Sequence, residues 1–315
     1  MRCKYLSGLA AVVMAVSAAG CADAAPALPN ITIDDTAVFP ESVTSSADGT
    51  VYAGSIKGNV YRALPGSAHA EKWITTTPQN GILAILGVFA DDARNTLWLC
   101  SVPNFFGPER SQGVSSLMAF DLKTGKQKGS YPFPPPASTC NDIALAPDGT
   151  PYVTDTSNGR IFRLTSEERG LDLVGQDQLL VGIDGLAFSG DGLLYVNNVR
   201  SNKLYRVTLT PDGAMAGLTP IAIEEQLGGP DGFRSIGGNR FLQAEGTVGR
   251  LSLLTIENDR ATMTVLKDDL VSSPGTTLVG DTAYVLESNI GYLVDPKLKG
   301  KDPGPFVIYA VPVNK

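Results

Sequence analysis

Residues 141–164 read NDIALAPDGTPYVTDTSNGRIFRL and contain three short β-type runs separated by two turn signals. Apolar and small residues alternate in the first run, which ends at Asp148 and Gly149. The second run, residues 152–154, is aromatic and β-branched and ends at Asn158 and Gly159, before the third run starts at Ile161. Alternation bounded by Asp-Gly and Asn-Gly is typical of hairpins, so the stretch predicts a three-stranded antiparallel meander.

The same pattern recurs along the chain. Residues 41–64, ESVTSSADGTVYAGSIKGNVYRAL, match this stretch almost position for position, and residues 184–207, DGLAFSGDGLLYVNNVRSNKLYRV, form a third copy. Looser copies begin at residues 231 and 274, and a sixth, interrupted by a long insertion, occupies residues 86–120. All-β units repeating about every 40–50 residues predict an all-β, six-bladed β-propeller. A β-sandwich is the alternative, but it would not explain the internal similarity.

Two further features concern how the ring closes and where its long loops lie. Residues 31–38 precede the first copy and have no partner of their own, so we expect them to pair with the last blade, near residues 306–311. Residues 102–116 and 287–305 are long segments between strands. Long loops on a rigid scaffold often carry recognition, although these two could also only cover a rim.

Composition excludes several classes of function. The chain has 315 residues, 43% hydrophobic and 18% charged, which is an ordinary globular composition. Its net charge is −7 and it has no long basic run, which argues against a nucleic-acid partner. A single histidine does not favour a metal held by imidazole groups. With one histidine and no G-x-S-x-G motif, a Ser-His-Asp triad has little support.

The N-terminus has the pattern of an export signal. Arg2 and Lys4 precede an apolar run at residues 6–19 that is too short to span a membrane, and residues 22–24 fit a signal-peptidase site. We therefore expect residues 1–24 to be a signal peptide and residues 25–315 to be the propeller domain of a periplasmic or secreted protein. The competing expectation is a weak lipobox ending at Cys21, which would add a lipid anchor. No later segment is long and apolar enough for a transmembrane span.

Cleavage after residue 24 would leave Cys100 and Cys140 as the cysteines of the mature chain. Two cysteines in an exported protein can form one disulfide. The sequence does not show that their α-carbons are close enough, so two separately buried thiols remain the alternative.

A constellation of polar residues emerges when the copies are aligned by their turns. Seven residues before the turn, four copies place a carboxylate or amide at the first position of the innermost strand: Glu41, Asn141, Asp184 and Asp231. These side chains should converge at one mouth of the central channel. Three converging carboxylates repel one another unless some are protonated or a cation is bound. Oxygen ligands suit Ca²⁺, with Mn²⁺, Mg²⁺ or Zn²⁺ as alternatives. The alternative interpretation is that they are polar residues that begin turns.

The motifs around these positions resemble a known family. They are PESV at residues 40–43, ND at 141–142, DGLAFSGDG at 184–192 and PDGF at 230–233. They are similar to the signature positions of the senescence-marker-protein/gluconolactonase/luciferin-regenerating-enzyme family, and the likeness covers nearly the whole mature chain. That family consists of six-bladed propellers with an axial divalent metal, usually Ca²⁺, that hydrolyse lactones and in some members organophosphates.

The resemblance implies roles for individual residues. Glu41, Asn141 and Asp231 match family metal ligands, and Asp231 also matches the catalytic general base or nucleophile. Asp184 stands where the family usually has Asn, which adds a negative charge beside the metal. Paraoxonases use a histidine dyad, which a chain with one histidine lacks, and we interpret His69 as a surface loop residue. Strictosidine-synthase-like propellers also share the PES-type start and would not need the full metal set.

Other residues are weaker candidates. Phe105 and Phe106 are expected to wall an apolar part of a substrate pocket, and Arg234 to meet an anionic substrate or else form a salt bridge. Asp142, Asp155 and Asn197 are candidates for supporting or extra ligands, although roles at turns or strand ends are the alternative.

The leading hypothesis is an exported, monomeric, metal-dependent hydrolase of lactones or related esters, with small-molecule substrates and no nucleic-acid partner. The cation would polarise the carbonyl, and Asp231 would activate water or attack directly. The alternatives are a non-catalytic binding propeller with a structural metal and an organophosphate hydrolase on the same scaffold.

Overall fold

The structure, a computed structural model, describes residues 27–106 and 112–313. Within these ranges the chain forms an all-β, propeller-like fold with almost no helix: a 3₁₀ turn at Gln178–Leu180 and the four-residue helix α1 at Gly291–Val294. None of the helical segments in this part of the chain is long and apolar enough to cross a membrane. The predicted signal peptide, residues 1–24 with Cys21, lies outside the described residues.

The described residues form 25 strands. In chain order they are β1 (Ile31–Ile33), β2 (Pro40–Ser45), β3 (Val51–Ser55), β4 (Val60–Ala63), β5 (His69–Ile74), β6 (Ala84–Asp91), β7 (Thr96–Val102), β8 (Ser116–Asp121), β9 (Gln127–Pro132), β10 (Cys140–Leu145), β11 (Pro151–Asp155), β12 (Arg160–Ser166), β13 (Gly170–Gln176), β14 (Ile183–Phe188), β15 (Leu194–Asn198), β16 (Lys203–Leu209), β17 (Met215–Pro220), β18 (Ala222–Ile223), β19 (Pro230–Ser235), β20 (Arg240–Glu245), β21 (Arg250–Glu257), β22 (Arg260–Lys267), β23 (Thr276–Val279), β24 (Thr282–Leu286) and β25 (Phe306–Pro312).

These strands form five hydrogen-bonded sheets. Three sheets have four strands each, β6 to β9, β10 to β13 and β14 to β17, and one has five, β19 to β22 with β18. The fifth sheet has eight strands in the order β2-β3-β4-β5-β1-β25-β24-β23. Six separate four-stranded blades were predicted, and the structure joins the first and last groups of strands into this single sheet.

The short strand β1 makes this connection. It pairs antiparallel with β25, with Ile31 opposite Ile308, which confirms the predicted pairing of the N-terminal segment with the last group of strands. It also pairs parallel with β5, where Thr32 lies opposite His69. His69 therefore begins a strand, whereas a loop was predicted. The prediction that its side chain is exposed is confirmed, since the ring is 65% exposed and contacts Asp34 at 3.0 Å.

The innermost strands contact one another around a closed ring. β2 contacts β6, and successive contacts run from β6 to β10, β14, β19 and β23 and from β23 back to β2. The core lies between consecutive sheets, where for example Tyr152 of β11 packs edge-on against Phe188 of β14 at a ring distance of 5.1 Å. In each group the innermost strand begins at the end of the ring where the second strand finishes. The long connections at residues 103–115 and 287–305 follow second strands, so they lie at the same end of the ring as the beginnings of the innermost strands.

Cys100 and Cys140 form a disulfide, which settles the alternative that the sequence left open. Cys100 lies on β7 and Cys140 on β10, with their α-carbons 5.2 Å apart. The bond therefore links the sheet of β6 to β9 with the sheet of β10 to β13. On β10 it lies one residue before Asn141.

Removing this disulfide is expected to lower the free energy of unfolding by about 2–4 kcal/mol, because the cross-link restricts the unfolded chain across 40 residues. Urea unfolding of the oxidised protein and of the double variant Cys100→Ser, Cys140→Ser would measure the difference. The wild-type protein unfolded in the presence of a thiol reductant should match the variant. Equal midpoints for the oxidised protein and the variant would contradict the expectation.

Candidate metal centre

Four polar residues lie near the start of innermost strands, one position after the first residue, which was the predicted place. Glu41, Asn141, Asp184 and Asp231 are each the second residue of β2, β10, β14 and β19. At this point the pairing with the following strand is irregular in all four cases. A bulge of this kind redirects a side chain out of the regular alternation and is common beside active sites.

Glycines allow the innermost strands to come close together here. Gly185 follows Asp184, and a Cβ atom at Gly185 would lie 2.4 Å from the carbonyl oxygen of Asp231. Gly232 follows Asp231, and its Cβ would lie 2.6 Å from the carbonyl oxygen of Pro274. A larger residue at either position would push neighbouring strands apart. The glycines that follow Asp184 and Asp231 therefore allow the close approach of β14 to β19 and of β19 to β23.

Three of the four predicted residues are joined by hydrogen bonds. The side-chain amide of Asn141 donates to Asp184 Oδ2 at 2.8 Å and lies 2.9 Å from Thr156 Oγ1. The carboxyl groups of Asp184 and Asp231 are hydrogen-bonded to each other. Glu41 is buried, and its interaction with the other three residues is electrostatic: the negative charge of Asp184 raises the pKa of Glu41.

Polar side chains hold the backbone of the cluster in place. Thr154 Oγ1 donates to the carbonyl oxygen of Asp184 at 2.8 Å. Asn197 accepts from the backbone N–H of Gly185 at 2.8 Å and donates to the carbonyl oxygen of Asp231 at 2.6 Å. The sequence suggested Asn197 as a supporting or extra ligand, and its amide bridges the main chains of β14 and β19. A bridge of this kind fixes the spacing between Asp184 and Asp231.

Burial and mutual repulsion disfavour ionisation of these carboxyl groups. Burial raises the pKa of Glu41 well above its usual value, and the charge of Asp184 adds to the effect. Burial, followed by the charges of Asp184 and Glu41, likewise raises the pKa of Asp231. The pKa of Asp184 rises to about 7, through burial first and then the charge of Asp142. The interaction between Asp231 and Asp184 raises the pKa of Asp231 and lowers the pKa of Asp184, which favours a form in which the two carboxyl groups share one proton.

Asp142 and Arg234 form a separate, compensated pair. The guanidinium of Arg234 donates to both carboxylate oxygens of Asp142, at 2.6 and 2.8 Å, and both side chains are buried. The salt bridge that the sequence offered as the alternative for Arg234 is therefore present. Asp155, the other supporting candidate, pairs with Arg160 Nε at 2.7 Å and anchors the loop before β10 through it.

Phe105 and Phe106 lie on the long connection after β7, at the same end of the ring as the carboxylates. Phe105 is 47% exposed, and the two ring centroids are 4.4 Å apart. Phe106 is partly buried and packs against the core. Residues 107–111 of this connection are outside the described part of the chain. Contact of either ring with a substrate stays a prediction.

The sequence analysis missed the residues that arrange the site. Thr154, Thr156 and Gln243 carry no local motif, and Gln243 approaches the cluster only because its side chain meets Asn197 at 3.0 Å. The repeated Asp-Gly pair at 184–185 and 231–232 was a usable signal for the close approach of the strands.

The donor atoms agree with a hard divalent cation. Glu41, Asp184 and Asp231 supply carboxylate oxygens and Asn141 an amide oxygen, which is the ligand set that Ca²⁺ prefers. The ion pairs found among the described residues give Asp142 a cationic partner but give none to these three carboxylates. A bound cation would provide the missing positive charge.

The arrangement of these donors is that of a proton-sharing cluster. Across residues 27–106 and 112–313, no group of three or more His, Cys, Asp or Glu side chains is arranged to hold one metal ion. Asp184 and Asp231 share a hydrogen bond, and Asn141 turns its NH₂ group toward Asp184. Binding a cation here therefore requires loss of the shared proton, since a protonated carboxyl is a poor ligand.

Comparison with protein families finds one partial match. Residues 28–63 match the model of the strictosidine synthase-like, N-terminal family, a segment that includes Glu41. No curated protein matches the sequence.

Solved structures share the fold over most of the chain. Regucalcin, a calcium-binding protein from Agrobacterium tumefaciens, is 16% identical, with a TM-score of 0.64 over 92% of this chain and 96% of that one. A putative gluconolactonase is 17% identical, with a TM-score of 0.63 over 91% and 94%. A catalytically inactive variant of virginiamycin B lyase from Staphylococcus aureus is 16% identical, with a TM-score of 0.61 over 89% and 83%. The chain is thus similar in fold to regucalcin and gluconolactonase, which confirms the resemblance predicted from its sequence.

Proposed function

We propose that this protein is a metal-dependent hydrolase of sugar lactones or related cyclic esters. The observation that carries the proposal is the cluster of Glu41, Asn141, Asp184 and Asp231, of which the first three are buried and Asp231 is partly buried, and whose three carboxylates lack a cationic partner within the described residues. The similarity in fold to a regucalcin and a putative gluconolactonase supports it.

We also propose that the scaffold is a six-bladed propeller whose first and last blades are joined at their outer edges. The eight-stranded sheet divides into β2 to β5 and the set β1, β25, β24 and β23, which meet only through the short parallel pairing of β1 with β5. Each half has four strands, and the innermost strands of the six groups contact one another around the ring. In such a propeller the cluster would lie around the axis, at one mouth of the channel.

Glu41, Asn141, Asp184 and Asp231 would hold the cation, which we propose is Ca²⁺, with Mn²⁺, Mg²⁺ or Zn²⁺ as alternatives. When bound, it would supply a positive charge that polarises the ester carbonyl. Asp231 acts as general base on a water molecule or as the nucleophile, for which it must give up the proton it shares with Asp184. Asp184 accepts from Asn141, so it can stay charged while Asp231 reacts.

The loops at this end favour a substrate with an apolar portion. Phe105 is exposed there, and so are further large apolar side chains on loops of the same end: Val114, Leu179, Val248, Val271 and Val294. Phe105 and Phe106 would form the wall that contacts the apolar part of the substrate's lactone ring or its substituent. We propose a small-molecule substrate, a monomeric protein, and export to the periplasm or cell exterior, directed by residues 1–24.

A substrate panel tests the proposal. Hydrolysis of a sugar lactone, an aliphatic lactone, a phenyl ester and a phosphotriester would be followed by pH-stat, with Ca²⁺, with Mn²⁺ and after exhaustive chelation. We expect turnover of at least one lactone, its loss on chelation, and its recovery when the cation is restored. Turnover that persists after exhaustive chelation would contradict metal dependence, and preference for the phosphotriester would change the substrate class.

A second candidate is a strictosidine-synthase-like or purely ligand-binding propeller. The family match over residues 28–63 favours it specifically, as does the proton-sharing arrangement of Asp184 and Asp231. This candidate predicts a protein whose thermal stability rises with Ca²⁺ but which turns over none of the four substrates.

A further inference from the structure

A cavity lies at the end of the channel opposite the carboxylate cluster. Its volume is about 400 Å³, and the later residues of the innermost strands form its walls. Apolar side chains dominate this lining: Phe89, Leu145, Leu186, Phe188, Phe233, Ile236 and Leu278. The volume is within the range of pockets that bind small molecules, and such pockets are mostly apolar with few polar groups.

The cavity exists because small residues occupy one equivalent position on four of the six innermost strands. Thr44, Ala144, Ala187 and Thr277 occupy equivalent places on their strands, each opposite a tyrosine of the second strand. The equivalent places in the other two groups hold the large residues Phe89 and Arg234, opposite Trp98 and Leu242. The four small residues create the space of the cavity, whereas the large side chains of Phe89 and Arg234 extend toward each other.

Arg234 closes the inner end of the cavity. Its guanidinium is held by both oxygens of Asp142 and lies 5.8 Å from the centre of the Phe89 ring. The charge of Arg234 is therefore already compensated, and the carboxylate cluster lies beyond Asp142. An anion would therefore find no free counter-charge here, and a cation would meet the guanidinium.

The hydroxyl groups of Ser45 and Thr277 in the wall are also occupied, whereas Arg234 Nε is buried and has no hydrogen-bond partner among the described residues. Ser45 Oγ lies 2.8 Å from Thr277 Oγ1 and donates to the carbonyl oxygen of Leu278 at 2.9 Å. These hydroxyl groups are bonded to each other and to the main chain, so they offer little to a strongly polar ligand. The accessible aromatic surface is the partly exposed ring of Phe89, which lies next to the buried guanidinium of Arg234.

We propose that this cavity is a second binding site, separate from the carboxylate cluster, for a small, neutral, largely aromatic molecule. The molecule packs against the ring of Phe89, beside the guanidinium of Arg234, and Phe188 also lines the cavity. Stacking on an aromatic ring favours flat, uncharged rings.

Calorimetric titration with the neutral aromatic probe 1-naphthol tests the proposal. Ser235 lines the cavity and is exposed, so Ser235→Trp should obstruct it without disturbing the core. We expect this variant to weaken binding at least tenfold and Phe89→Ala to weaken it at least threefold. Two matched controls should bind as the wild type does: Ser130→Trp, on the exposed face of β9, and Phe105→Ala, at the other end of the channel.

Three results would overturn the proposal. They are absence of binding at millimolar 1-naphthol, unchanged affinity in Ser235→Trp, and loss of affinity in Phe105→Ala with Ser235→Trp unchanged. Circular dichroism and urea unfolding of each variant would show whether it is folded. Because the titration uses neither a cation nor a lactone, its outcome is independent of the proposed hydrolase activity.

Discussion

Replacement of Asp231 by asparagine is expected to reduce lactone hydrolysis by at least a hundredfold at saturating Ca²⁺. Asparagine has nearly the same shape but can neither accept a proton from water nor form an acyl intermediate, and loss of a general base costs about 10²–10⁴ in rate. The backbone at this position is held by Asn197, which donates to the carbonyl oxygen of Asp231 at 2.6 Å. The substitution should therefore leave the fold unchanged. The measurement is kcat/KM on the best lactone of the panel.

A matched substitution separates this chemistry from a general effect of removing a buried charge. Asp91 is buried, with its side chain 1% exposed, but it pairs with Arg94 near the far end of β6. Asp91→Asn should keep hydrolysis close to that of the wild type. Calorimetric titration of Asp231→Asn with Ca²⁺ would show whether the ion still binds, so that lost chemistry is distinguished from lost metal. Retention of more than a tenth of the wild-type kcat/KM by Asp231→Asn would refute its catalytic role.

The repeats in the sequence carried most of the information on the scaffold. Each copy contains its own hairpins and turns, so local alternation is enough to place strands such as β10 and β11. The predicted long segments at residues 102–116 and 287–305 correspond to the connections β7–β8 and β24–β25 for the same reason. The alignment of the copies also predicted that Asn141 and Asp184 begin their innermost strands.

Features that depend on contacts between distant copies could not be predicted in this way. β1 has no counterpart among the repeats, so nothing in the pattern indicated its parallel pairing with β5 or the eight-stranded sheet. Arg234 reaches Asp142 across the channel, 92 residues away in sequence. The proton shared by Asp184 and Asp231 depends on burial and on the glycines that bring the strands together. Composition does not show any of these.

The stability of the cation-free protein is expected to fall as the pH rises from 5 to 8, and Asp184→Asn should remove much of this dependence. Burial raises the pKa of Asp184 from 3.8 in the unfolded chain to about 7 in the folded protein. The folded protein therefore keeps a proton that the unfolded chain loses. The stabilisation is present at low pH and is lost as the pH rises toward 7. Between pH 5 and 7 this amounts to roughly 2 kcal/mol.

Urea unfolding in a chelator at pH 5, 6, 7 and 8 would measure this effect. Asparagine cannot ionise, and its introduction also removes the negative charge that raises the pKa of Glu41 and Asp231, so the profile should flatten and the variant should exceed the wild type at pH 8. Saturating Ca²⁺ should reverse the order at pH 8, because the ion then compensates the charge that only the wild type carries. Glu71→Gln, at an exposed glutamate of β5, is a control that should leave the profile unchanged. Parallel pH profiles for the wild type and Asp184→Asn would show that Asp184 is already ionised in the folded protein without a cation, and that the charge balance derived for the cluster is wrong.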